Sequence, residues 1–326
     1  MAPFICARCV CADEHVLNKH PLGVYAVKKI PVGDHSETLL RSLREVHFME
    51  ELDHPNVVHY KHAWVEQSQQ SPFTPLVPTL HVLMTAANGG SLADWIETRW
   101  AEISNGQQHS RPPQHVEMMT IATDIARGLA FLHERGILHL DIKPGNVLLH
   151  WDNGAVLPKA MLSDFGSSRL LGDTPCRRTG HTGTMEYMAP EAVLPDVSGG
   201  FAELTNKADV WSLGIVFHML AFLDIPYTNA DDIDVLRGEI ASFRTSMIAE
   251  RLQNSPTEPK LAHLLTWMLN VAPEQRPTCA QVLDVLTTAV SHTPMPTKPL
   301  LPMPISLPWR NIVPAGLLGY VQVRTS

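Results

Sequence analysis

The chain has 326 residues, 44% of them hydrophobic and 18% charged. That is enough apolar material for a substantial core, and it excludes both intrinsic disorder and a small disulfide-stapled scaffold. Its 25 lysines and arginines against 33 aspartates and glutamates leave a net charge of −8 with no basic block. This balance argues against nucleic acid or an anionic membrane as the main partner and suits a basic segment on a substrate better.

Five cysteines, at 6, 9, 11, 176 and 279, are an odd number without framework spacing, so a reducing, cytoplasmic compartment is expected. Cys6, Cys9 and Cys11 form a C-x-x-C-x-C run, but no second Cys/His pair lies at a zinc spacing, and residual strand is preferred over a metal site. Residues 1–14 contain Asp13 and Glu14 and no signal-peptide stretch, and no membrane-length apolar run follows. Neither secretion nor membrane spanning is expected.

Residues 23–31, GVYAVKKIP, are β-branched and aromatic between Gly23 and Pro31 and read as a strand with a lysine at its middle. From Ser36, which can cap a helix, to Asp53, the apolar residues recur at spacings of three and four, predicting an amphipathic helix. Strands are expected at 57–65 and 79–85, separated by a polar, proline-bearing loop, and the hairpin ends at Gly89-Gly90. Helical patterns follow at 91–103, 115–135, 207–221, 259–270 and 277–290, with short strands near 138 and within 146–163. Strand-rich first and helix-rich afterwards, the order predicts two unlike lobes with a hinge near 85–90, where a ligand site is expected. Seven prolines between Thr293 and Pro314 preclude an uninterrupted helix in the tail. His59 and His62, three apart on a predicted strand, point to opposite faces and make no metal pair.

Five motifs occur in order: Ala26-Val27-Lys28; Glu45; His139-Leu140-Asp141-Ile142-Lys143-Pro144-Gly145-Asn146; Asp164-Phe165-Gly166; Ala189-Pro190-Glu191. Each is weak alone, but their joint order and spacing resemble the eukaryotic protein kinases. Lysine two residues after Asp141 is similar to the serine/threonine branch. Residues 25–35, 78–84, 88–94 and 179–184 resemble the fungal Iks-type serine/threonine kinases. The resemblance covers about residues 9–290 and implies an α+β, bilobal fold. Its small β-rich lobe would be 1–87, incomplete and without its first strand, its helical lobe 88–290, and a proline-rich tail 291–326 would follow.

The activity implied is transfer of the ATP γ-phosphate to Ser/Thr hydroxyls of a protein substrate, with ATP and Mg²⁺ bound. On the resemblance, Asp141 would orient the substrate hydroxyl and Lys143 steady the γ-phosphate. Lys28 would hold the α/β-phosphates, with Glu45 as its anionic partner; Glu45 stands nine residues before His54-Pro55-Asn56. Ala26, Met84 and Leu148 belong with the nucleotide-binding residues, Met84 as gatekeeper, and backbone groups of Thr85 to Ala87 would read the adenine edge. Asn146 and Asp164 would ligate Mg²⁺ through oxygen. Glu191 with Arg276 would form a buried ion pair, Asp209 would brace the catalytic loop, Phe165 would stack with His139, and Thr184 would contact Asp141 and Lys143.

Two departures stand out. Leu140 replaces the arginine that receives an activation-loop phosphate, which puts such regulation in question; Ser167, Ser168, Thr174, Thr179 and Thr182 remain as modification sites, Thr182 foremost. No G-x-G-x-x-G precedes Lys28, and the matching glycine positions would fall near Pro3, Ile5 and Arg8. A truncated or misassigned start is the favoured explanation, with a pseudokinase scaffold as the rival. Pro296-x-x-Pro299 and Pro299-x-x-Pro302 could serve a proline-groove domain, although a plain linker is the preferred reading.

Overall fold

The computed structural model describes residues 8–9, 16–17, 20–21, 25–32, 46, 49–69, 75–104, 115–171, 185–195, 199–253 and 259–290. Arg8–Cys9 (β1) is a two-residue strand, and Val16–Leu17 (β2) pairs antiparallel with His20–Pro21 (β3). Tyr25–Pro31 (β4) follows its β-branched and aromatic residues as expected. With Tyr60–Ser68 (β5) and Val77–Thr85 (β6) it completes a four-stranded sheet of order β1-β4-β6-β5. Register sets Ala26 opposite Met84 and Lys28 between Arg8 and Val82.

Val57 and Val58, expected to open a strand, leave the sheet and are buried instead. Val57 bridges to Leu162, and the Val58 N–H donates to the Leu162 carbonyl at 2.8 Å. Their β-branched character therefore serves the core. The strand starts later and runs on through the exposed Glu66 and Gln67. Of the helix expected over 36–53, Val46, Met49 and Glu50 are helical, with Val46 and Met49 buried; Glu51 to Asp53 are not helical, so the helix ends earlier than expected, and the remaining positions lie outside the described residues.

The second part is helical: Leu92–Ser104 (α1), His115–Glu134 (α2), Pro190–Val193 (α3), Asn206–Phe222 (α4), Ile233–Ala241 (α5), Thr245–Gln253 (α6), Pro259–Met268 (α7) and Cys279–Val290 (α8). Short strands intervene. Ile137–Leu138 (β7) pairs with Arg169–Leu170 (β10), and Val147–His150 (β8) with Lys159–Leu162 (β9). α4 is apolar on nearly every side, and Val210, Trp211, Leu213, Ile215 and Val216 are all fully buried; a helix hydrophobic all round belongs at the centre of a lobe. Leu80, Val82 and Met84 of the sheet share one contiguous core with Leu162, Trp211 and Leu265. No helix among the described residues is long and apolar enough to cross a membrane.

Two junctions fix the lobes to the site. A Cβ on Gly128 of α2 would lie 2.5 Å from the Asn56 carbonyl oxygen, so only glycine lets the segment after Pro55 seat on α2. That seating allows the Asn56 carbonyl to accept the Leu162 N–H and its Nδ2 to donate to the Ala160 carbonyl, both at 2.9 Å. At the hinge, the Asn88 Nδ2 donates to the Trp151 carbonyl at 2.9 Å and its Oδ1 accepts the Trp151 N–H at 2.7 Å. The Gly89 N–H and Gly90 carbonyl bond Leu149 at 2.8 and 2.9 Å.

Candidate active site

Between β7 and β8 the chain forms a tight loop from His139 to Asn146. Leu140 sits at φ 59°, a left-handed conformation that costs a non-glycine residue roughly 1–3 kcal/mol unless its surroundings hold it. Asp209, buried in the first turn of α4, holds it: Oδ2 accepts the His139 N–H at 2.8 Å and Oδ1 the Leu140 N–H at 2.7 Å. The His139 ring lies 5.1 Å from that of Phe165. Its Nε2 is 3.2 Å from the Ser163 carbonyl and its Nδ1 3.3 Å from the Asp141 N–H. A carbonyl can only accept and an amide only donate, so the proton sits on Nε2. Burial, which lowers the His139 pKa, agrees with a neutral ring.

Pro144–Asn146 forms a 3₁₀ turn that brings Asn146 back onto Asp141. The Asn146 Nδ2 donates to the Asp141 carbonyl and to its Oδ2, each at 2.8 Å. Lys143 Nζ stands 3.0 Å from the same carboxylate. Asp141, Lys143 and Asn146 are thus one hydrogen-bonded group. Both Nδ2 contacts commit the amide end of Asn146, and among the described residues its Oδ1 takes no hydrogen bond.

Across the site, Lys28 Nζ is 2.8 Å from Asp164 Oδ1. Asp164 is itself left-handed, at φ 64° and ψ 74°, and accepts a hydrogen bond from Gly166. Burial pushes its carboxyl up, but the Lys28 charge and the hydrogen bonds outweigh burial and hold it below the ordinary 3.8. Ser163 links the two groups: its N–H and Oγ donate to the Asn146 carbonyl, each at 2.9 Å.

Met84 is buried opposite Ala26 on β4, and Leu148 on β8 bridges to Ser91. The Thr85 N–H is committed to the His59 carbonyl at 3.0 Å, so it is not free to read the edge of an adenine. Glu45, Thr184, Thr174, Thr179, Thr182, the positions of the glycine loop before Arg8 and the proline-rich tail lie outside the described residues. The Ser168 hydroxyl is buried and bonded to the His139 carbonyl at 3.4 Å, which fits it to structure better than to modification.

The expected ion pair is present: the Arg276 guanidinium meets both Glu191 oxygens at 2.7 and 2.8 Å. Sequence reasoning missed His133 and Cys279. His133 Nε2 donates to Asp209 Oδ2 at 2.9 Å, and its Nδ1 lies 3.4 Å from Cys279 Sγ. Nothing local pairs residues that far apart in the chain. Burial opposes charge on His133, but the hydrogen bond to Asp209, helped by Cys279, outweighs it and pushes the imidazole from 6.5 up to about 10. A raised value means that the protonated form stabilises the fold. That contribution is complete below pH 6.5 and is lost as the pH rises through about 10. Urea midpoints of the parent chain are therefore expected to fall across this window more steeply than those of His133→Gln; parallel profiles would refute the assignment.

The donor chemistry fits a hard cation and a polyphosphate. Asn146 and Asp164 offer oxygen, Lys28 and Lys143 offer ammonium groups, and no cluster of three or more His, Cys, Asp or Glu forms a self-sufficient metal cage among the described residues. Two protein oxygens suit Mg²⁺, which keeps waters and binds substrate phosphates. Cationic side chains facing a positioned carboxylate, on a strand-rich lobe joined to a helical one, are the arrangement expected of the protein kinase class. Residues 14–286 match the protein kinase domain, and the chain belongs to that family.

Among its relatives, the probable serine/threonine-protein kinase iksA of Dictyostelium discoideum is 34% identical over an alignment of 298 positions that covers 83% of this chain and 29% of iksA. The serine/threonine-protein kinase Tao of Drosophila melanogaster is 31% identical over an alignment of 268 positions that covers 80% of this chain and 22% of Tao. Germinal center kinase 3 of Caenorhabditis elegans is 31% identical over an alignment of 251 positions that covers 68% of this chain and 39% of the relative. The chain thus spans well under half the length of each.

Proposed function

We propose that this chain is an active serine/threonine protein kinase domain of the Iks type, acting in the cytoplasm on a protein substrate. The observation that carries the reading is the Asp141–Lys143–Asn146 group tied through Ser163 to the strand that presents Asp164, itself paired with Lys28. Residues to 87 serve as the small lobe and 88–290 as the large lobe.

Asp141 accepts the hydrogen bond of a substrate Ser or Thr hydroxyl and takes its proton as the oxygen attacks the γ-phosphorus and the bond to the leaving diphosphate breaks. Asn146 and Lys143 hold the Asp141 carboxylate in place for that step. Lys28 holds the α/β-phosphates, with Glu45 as its expected partner. Ala26, Met84 and Leu148 form the walls of the adenine site, with the Thr85 carbonyl and the Ala87 N–H reading the adenine edge. Mg²⁺, held by Asn146 and Asp164, supplies charge neutralisation on the phosphates.

The test is the thermal stability of the full chain with ATP, with and without Mg²⁺, beside Lys28→Met. A Mg²⁺-dependent rise in melting temperature that Lys28→Met loses is expected. No rise in a folded sample would favour the scaffold reading over catalysis.

A further inference from the structure

A cavity of about 370 Å³ that shares no residue with the active site lies between the start of α6 and α7, lined by Thr245, His263, Thr266, Trp267 and Asn270. α7 buries Leu261, Leu264, Leu265 and Met268 on one side. His263, Trp267 and Asn270, spaced by four and three, share another side and line the groove. The rings of His263 and Trp267 stand 6.3 Å apart. The indole is fixed in place, because its Nε1 donates to the Gln275 carbonyl at 2.9 Å. Asn270 is fixed beside it, with Nδ2 donating to Gln275 Oε1 at 3.2 Å and Oδ1 accepting the Ala272 N–H at 3.0 Å. The Thr266 hydroxyl is spent on the His263 carbonyl at 2.8 Å. Among the described residues the His263 ring nitrogens and the Thr245 hydroxyl make no hydrogen bond, so the groove combines rigid aromatic rings with uncommitted donors.

The kinase domain accounts for residues 14–286 and leaves the proline series after α8 unexplained. Pro296, Pro299 and Pro302 recur every three residues. Three residues is the turn of a polyproline II helix, so in that conformation these rings line one edge. The same conformation has no internal hydrogen bonds, and its carbonyls require donors from outside. Aromatic rings for the prolines and free N–H and O–H groups for the carbonyls are the usual terms of polyproline recognition. Charge agrees as well: Lys298 lies within the series, and the 3₁₀ turn Pro273–Gln275, which anchors Trp267, carries the exposed Glu274. The segment is long enough to return. The path back along α8 is about 18 Å, and from Cys279 to Gln275 at most about 14 Å more. Residues 291–302 span about 37 Å as polyproline II.

We propose that this groove binds the chain's own segment Pro296–Pro302, folded back from the end of α8. The prolines lie against Trp267 and His263, and the His263 ring N–H and the Thr245 hydroxyl donate to carbonyls of the segment. Tethering supplies a local concentration in the mM range, so a groove of only about 0.1 mM affinity is filled about ten times out of eleven.

The test uses the full chain throughout. A fluorescent peptide of residues 293–304 is titrated into the parent and into a variant carrying Pro296→Ala, Pro299→Ala and Pro302→Ala, which lie outside the kinase domain match. The variant, its groove vacated, should bind the peptide about tenfold more tightly than the parent. Adding Trp267→Ala to the variant should abolish that binding. Adding Thr245→Ala with His263→Ala, two positions outside the core, should weaken it and keeps the test decisive if the Trp267 substitution unfolds the chain. Equal affinity of parent and proline variant shows a groove that the tail does not fill, and overturns the proposal. Binding to neither chain overturns it too, as does binding that survives the Trp267 and the Thr245 with His263 substitutions. Sedimentation separates the remaining occupant: a parent dimer that the proline substitutions dissolve would assign the groove to the tail of a second copy and overturn the folded-back arrangement.

Discussion

Asp141→Asn is expected to lower phosphate transfer by about 10²- to 10⁴-fold, the range that a positioned general base supplies, while leaving the Mg²⁺–ATP thermal shift in place. The substitution preserves shape and removes only the charge that Lys143 faces at 3.0 Å and the oxygen that Asn146 contacts at 2.8 Å. Nucleotide contacts assigned to Lys28 and Asp164 come from β4 and the turn after β9, away from the altered side chain. Transfer from labelled ATP to a serine peptide gives the rate, and the melting curve gives binding. Activity within tenfold of the parent would remove Asp141 from its role; loss of the thermal shift would show that it positions nucleotide.

The largest stability loss is expected at Arg276→Ala. The guanidinium is fully buried, meets both Glu191 oxygens, and donates further to the carbonyls of Asn270, Lys207 and Val271 at 2.7, 2.9 and 3.2 Å. Its Cζ also lies 5.0 Å from the Trp211 ring. Removing it leaves a carboxylate and several carbonyls without their donor, a loss of about 3–5 kcal/mol, comparable with much of a domain's total stability. Glu191→Gln keeps the shape and one acceptor and should cost less. Urea unfolding at constant slope measures both; a loss under about 1 kcal/mol for Arg276→Ala would contradict the account.

Much of the fold was legible because its elements carry strong local patterns. Tyr25–Pro31 is β-branched and aromatic between punctuating residues, and the helices 92–104, 115–134 and 206–222 carry long apolar series. α5 and α6 escaped the sequence reading for a physical reason. Ile233 and Val235 on α5 and Met247 on α6 face solvent, so the apolar residues do not mark a single buried face. Of the site, the motif residues were legible through the order and spacing that they share with the protein kinases. Asp209 as brace, Phe165 against His139, and Glu191 with Arg276 all stand where the kinase resemblance set them. What the sequence could not reveal were contacts made by folding alone: the direct meeting of Lys28 and Asp164, the Thr85 amide turned toward His59, and His133 between Asp209 and Cys279.

The paired bonds that knit Asn88, Gly89 and Gly90 to Leu149 and Trp151 fasten the C-terminal half of the interlobe connection to β8. A swing of the strand-rich lobe must then be absorbed upstream, at Ala86 and Ala87, which lie between the end of β6 and that fastening. Ala26 and Met84 travel with the swing while Leu148 stays behind. The width of the slot between them becomes the coordinate along which the molecule opens and closes, and a bulkier residue at Ala86 or Ala87 would act on that width without touching a catalytic group.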